Sequence, residues 1–60
     1  MKFNVGDLIR CRGTKLGIII KVNDHKEYKE QWIQVMWYDS VITWEDVFPE
    51  DNIFEVINEF

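Results

Sequence analysis

The chain has 60 residues, 47% of them hydrophobic and 15% aromatic, with a net charge of −4 and one cysteine. That length allows a single domain burying only about 60% of the surface its unfolded form exposes, so a few aromatic rings must supply most of the core. Lone Cys11 excludes an intramolecular disulfide and an all-cysteine zinc site and points to a reducing cytoplasm, while the absence of a leader-like start or a long apolar run argues against export and against a membrane partner.

The first strand is expected over Asp7–Arg12, preceded by Val5-Gly6 and followed by a turn at Gly13. The second is expected over Gly17–Asn23, where Ile18, Ile19, Ile20 and Val22 favour extended backbone. These apolar residues do not alternate, so either both faces are partly covered or a bulge resets the register. Asn23–Glu30 is polar and charged and reads as a solvated hairpin loop. The third strand, Gln31–Tyr38, is the clearest. Ile33, Val35 and Trp37 share one face by the period-two rule and are assigned to the core. Trp32, Gln34, Met36 and Tyr38 share the other, which is unusually apolar for a face turned to water. Asp39-Ser40 reads as a turn, and a fourth strand follows over Val41–Trp44. Glu45–Asn52 contains Pro49 and four acids and reads as a loop, with at most one helical turn. Ile53–Asn58 forms the last strand, and no segment has a helical period. Five short strands spanning residues 1–60 predict one all-β domain, a small, partly open, five-stranded SH3-like barrel. The runner-up, an OB-type barrel, usually needs a longer chain and a helix between its third and fourth strands.

Charge is divided along the chain. Residues 1–30 hold all seven bases and four acids, whereas residues 31–60 hold seven acids and no base. The bland reading is solubility; the sharper one is a dipole that stacks copies head to tail or meets a basic partner.

Val5-Gly6-Asp7-Leu8-Ile9, then Gly13 and Lys15-Leu16-Gly17-Ile18-Ile19-Ile20-Lys21-Val22, resembles the KOW motif on the first two strands of SH3-like barrels in ribosomal proteins and transcription elongation factors. Val35-Met36-Trp37-Tyr38-Asp39, Trp44 and Ile53-x-x-Val56-Ile57 are similar to short uncharacterised bacteriophage proteins of that barrel type. The KOW resemblance implies close backbone approach at Gly17 and RNA contact through Arg10, Arg12 and Lys15. The acidic second half departs from that pattern.

Two surfaces compete as the functional one. Trp32, Met36, Tyr38 and Trp44, with Tyr28 and Phe48 nearby in sequence, read as a protein-binding surface, because aromatics and Met are enriched at interface cores. A narrower version is a cage for a methylated Lys or Arg, with Asp39 or Asp46 as counter-charge. The bland alternative is that these rings complete a tiny core. Arg10, Arg12, Lys15 and Lys21 read as phosphate contacts or as ordinary solvated charge, and the pI near 4.7 weighs against a dedicated nucleic-acid binder. The edge left by an open barrel, ending at Phe60, suits a dimer or an extended peptide unless Glu55 and Glu59 blunt it. His25 and Cys11 read as a solvated loop histidine and a small strand hydrophobe; Glu45, Asp46, Glu50 and Asp51 lack calcium-loop spacing. No nucleophile–base pair and no Gly-rich phosphate loop is recognisable, so no catalysis, cofactor or metal is expected. The sequence therefore predicts a non-enzymatic, cytoplasmic protein-interaction module, plausible as a phage protein docking on a virion or host protein. Its alternatives are a KOW-like nucleic-acid or transcription-complex binder and a self-assembling homo-oligomer.

Overall fold

The computed structural model of the protein describes residues 3–24, 31–48 and 53–58. Five strands run in chain order: β1 (Leu8–Cys11), β2 (Lys15–Asp24), β3 (Gln31–Trp37), β4 (Ile42–Val47) and β5 (Phe54–Asn58). They form one antiparallel sheet in the order β4-β3-β2-β1-β5, a meander whose last strand returns to pair with the first. Among the described residues the sheet is not closed: β4 and β5 are its two edges. The all-β, five-stranded reading of the sequence therefore holds.

Local chemistry accounts for the turns. Arg12 and Gly13 both have positive φ (53° and 79°), and the Thr14 N–H donates to the Cys11 carbonyl at 3.1 Å. That pair of left-handed residues makes a type I′ turn, whose twist matches that of the strands it joins. Between β3 and β4 the Ser40 N–H donates to Trp37 O (2.8 Å) and the Trp37 N–H to Val41 O (2.9 Å), with Ser40 at φ 69°. Asp39 Oδ1 accepts the Val41 N–H at 3.2 Å, so the Asp39-Ser40 turn has the side-chain brace its composition favours.

The irregular apolar run of β2 resolves into a bulge. Pairing with β3 shifts between Ile19, opposite Val35, and Lys21, opposite Gln34. Ile20 is the extra residue, and the bulge returns Lys21 to the solvent face instead of the core. β4 is longer than its sequence suggests: Glu45, Asp46 and Val47 belong to the strand, opposite Ile33, Trp32 and Gln31. Their charge signals a loop, but on this edge strand Asp46 stays in water on the outer face, and Glu45, on the inner side, accepts the Thr43 hydroxyl at 2.7 Å. Asp24 likewise belongs to β2 rather than to the loop, and the strand begins two residues before the expected Gly17, at Lys15. The loop expected over 25–30, with His25 and Tyr28, lies outside the described residues; so do 49–52, with Pro49, Glu50 and Asp51, and the terminal Glu59 and Phe60.

The core lies on one face of the sheet: Phe3, Ile9, Ile19, Ile33, Val35, Trp37, Val47 and Phe54 are all buried. Phe54 stacks on Trp37 (interplanar 25°) and meets Phe3 edge-on (81°), both at 6.5 Å between ring centres. Ile33, Val35 and Trp37 thus face inward as the alternation of β3 requires. Gly17 makes room for them: a Cβ there would lie 2.5 Å from Val35 Cγ1 and 2.8 Å from Trp37 Cε3. The close approach attributed to this glycine therefore serves an indole and a valine within the fold.

Buried polar groups are tied down. The Gln31 side chain accepts the Phe3 N–H (3.0 Å) and donates to the Phe3 carbonyl (3.1 Å), clipping the N-terminal segment over the open core. Asp7, only 2% exposed, accepts the Asn4 N–H through Oδ2 at 2.9 Å. Trp37 Nε1 donates to Thr43 Oγ1 (2.7 Å), and the Thr43 hydroxyl donates to Glu45 Oε2 (2.7 Å), carrying the buried indole's polarity to the rim.

Candidate functional site on the outer face

Directly paired residues project from the same side of a sheet. Ile42 pairs with Met36, Met36 with Ile18, Ile18 with Leu8 and Leu8 with Asn58. Four of these five residues are large and apolar, and all lie on the face away from the core. Ile42, Met36 and Ile18 remain 51%, 40% and 41% exposed. Leu16, Tyr38, Val41 and Trp44 are exposed around them. The result is a continuous apolar band across four strands. Isolated surface hydrophobes are ordinary, but a contiguous band of this kind is not.

A groove of about 370 Å³ opens within the band, lined by Leu8, Leu16, Ile18, Met36, Tyr38 and Ser40 over a floor of Gly17 and Trp37. Sheet geometry builds its walls. The Tyr38 N–H donates to the Leu16 carbonyl at 2.9 Å, which holds the β3–β4 turn against β2. The bulge at Ile20 falls just beyond, so the apolar row ends and the next row reads Trp44–Gln34–Lys21.

The four aromatic and sulfur residues singled out from the sequence separate along this face. Met36 sits at its centre and Tyr38, 75% exposed, at the turn end. Trp44, opposite Gln34, is a diagonal neighbour of Met36. Trp32 is half-buried at the far end, opposite Asp46. Trp32 and Tyr38 therefore do not meet, and no single cage contains both Trp32–Asp46 and Tyr38–Asp39. Phe48, 41% exposed, follows β4. Leu8, Leu16, Ile18 and Ile42 belong to the same surface and were missed in the sequence. Leu16 precedes the expected second strand and Ile18 lies in an unalternating run; only the pairing register identifies them as neighbours of Met36.

The basic residues are divided differently. Arg10, on the outer face, donates to Glu55 Oε1 through Nη2 (2.7 Å) and Nε (3.2 Å). Its cross-strand position opposite Glu55 and Leu16 explains that pairing. Lys15 pairs with Cys11 on the inner side and places Nζ 4.7 Å from the centre of the Trp37 ring. Arg12 is in the exposed hairpin turn, and Lys21 is on the outer face beside Gln34. Arg10, Arg12 and Lys15 thus occupy an outer face, a turn and an inner rim.

Cys11 is partly buried against the core. Among the described residues no group of three or more His, Cys, Asp or Glu is placed to hold a metal ion, and no helix is long and apolar enough to cross a membrane. No family model, no curated protein and no solved structure matches the chain.

Proposed function

We propose that this chain is a non-enzymatic, SH3-like protein-interaction module whose partner seats on the outer apolar band. The observation that carries the reading is the row Leu8–Ile18–Met36–Ile42, which crosses four strands and of which Ile18, Met36 and Ile42 stay exposed. Burying that band removes apolar surface from water at about 25 cal/mol per Å², and Tyr38 and Trp44 at its margins are the residue types that dominate interface energetics. The SH3-like assignment draws on the five-strand meander with β5 returned to β1. The resemblance of the chain to short bacteriophage proteins makes a virion or host protein the first partner class to test. The nucleic-acid alternative takes second place because Arg10, its outer-face member, is ion-paired with Glu55.

The test is affinity capture with the full chain, with Met36→Lys and with the double variant Arg10→Glu, Arg12→Glu, each checked for folding by circular dichroism. The expected result is a protein partner retained by the double variant at raised salt and lost with Met36→Lys. Retention by Met36→Lys, or a salt-sensitive nucleic acid lost with the double variant, overturns the reading.

A further inference from the structure

The outer band ends at β4, an edge of the sheet, and the ladder determines which backbone groups that edge presents. Trp37 N–H donates to Val41 O, so Trp37–Val41 is a hydrogen-bonded pair. Such pairs alternate along an antiparallel ladder. Val35–Thr43, Ile33–Glu45 and Gln31–Val47 are then the remaining hydrogen-bonded pairs of β3 and β4. The N–H and C=O groups of Ile42, Trp44 and Asp46 point the other way, and among the described residues no strand pairs with that side. Their side chains all lie on the outer face and are exposed. No proline or lysine interrupts this edge; Glu45 and Asp46 are its only charges. It has the length and the unpaired groups that strand addition requires, and little to prevent it.

Charge selects the occupant. The described residues from Gln31 onward carry Asp39, Glu45, Asp46 and Glu55 and no base, and Arg10 already engages Glu55. Trp44, 49% exposed, offers a ring face beside Asp46. A lysine or arginine opposite Asp46 meets a carboxylate, and one opposite Trp44 lies over an indole. An apolar residue opposite Ile42 extends the row Ile42–Met36–Ile18–Leu8 by one strand.

We infer that the partner of this face adds an extended strand to β4, hydrogen-bonded to Ile42, Trp44 and Asp46, with basic side chains opposite Asp46 and Trp44 and an apolar one opposite Ile42. This rests on the protein-binding reading of the outer face and specifies the segment that binds it.

The test uses the full ¹⁵N-labelled chain and an acetylated, amidated heptapeptide, Thr-Lys-Thr-Lys-Thr-Ile-Thr, with a counterpart carrying Glu for both Lys. Saturable binding is expected, with exchange of the Ile42, Trp44 and Asp46 amides slowed about tenfold at ~90% occupancy and the Thr43 and Glu45 amides unchanged. The Glu peptide should bind at least about tenfold more weakly. Equal affinity for the two peptides, or the absence of saturable shifts at millimolar peptide, overturns the inference. Shifts confined to Leu16, Ile18 and Tyr38 without slowed β4 exchange overturn edge pairing but leave the outer-face reading intact. Slowing at the three amides that rises with protein concentration alone overturns the basic-peptide occupant in favour of a second copy.

Discussion

The two faces of β1–β3 are built from alternate residues of the same strands, and both are apolar at their centre. Inward, Trp37, Gly17 and Ile9 form one row; one residue away, Met36, Ile18 and Leu8 form the row that faces out. The inner row is buried under Phe3 and Phe54, with its polar atoms routed through Thr43 and Glu45 and its backbone clearance supplied by Gly17. Nothing described covers the outer row. Hydrophobicity alone does not distinguish these faces. What distinguishes them is tight packing and satisfied polar groups on one side and exposed side chains on the other.

Substitutions in matched positions test that contrast. Trp37→Ala removes the ring on which Phe54 stacks and leaves Thr43 without its donor. A loss of about 3–5 kcal/mol is expected, comparable with the whole stability of a domain this small, so the variant should be unfolded by circular dichroism at 25 °C. A cooperative melt near that of the parent chain would break the comparison at its strongest point.

Gly17→Ala forces a methyl group into Val35 and Trp37, and urea titration should register a loss of about 1–3 kcal/mol. Gln31→Ala strips both partners from the Phe3 backbone; about 1–3 kcal/mol is expected, with faster exchange of the Phe3 amide as the local signature. An unchanged Phe3 exchange rate would show that the clip does not hold the N-terminal segment. On the outer face, Met36→Lys should change stability by less than about 1 kcal/mol while abolishing partner capture. A large stability loss there would mean that the band is structural. The smallest effect on stability has the opposite sign. Ser40→Gly relieves a left-handed residue at φ 69°, and thermal melting should show a gain of about 0.5–1 kcal/mol.

Much of this fold was legible in the chain because strand alternation is a local property. In β3, Ile33, Val35 and Trp37 had to share a face whatever the rest of the molecule did, and they are buried. The same rule fails for β2, where the sequence allowed two explanations and the pairing with β3 selects the bulge at Ile20. It also misplaced Glu45–Val47, because acidic residues mark loops and solvated edge strands equally well. For the candidate site, Trp32, Met36 and Tyr38 were visible as apolar residues on a strand face turned to water, and Trp44 as an aromatic of the next strand. Leu8, Leu16, Ile18 and Ile42 were not, since they come from β1, β2 and β4 and only the pairing register makes them neighbours of Met36.

By itself, then, the sequence determined the class of object: an all-β chain of five short strands with a divided charge; of the buried core only Phe3, Trp37 and Phe54 are aromatic, the other five residues being Ile or Val. The strands and the divided charge follow from composition and from a period of two, which need only neighbouring residues. The tertiary structure alone decided which apolar residues became core and which became surface neighbours, that Arg10 is tied to Glu55 while Lys15 covers Trp37, and that β4 is an edge. Those outcomes depend on cross-strand register, and register is set by long-range pairing that no local stretch of the chain encodes.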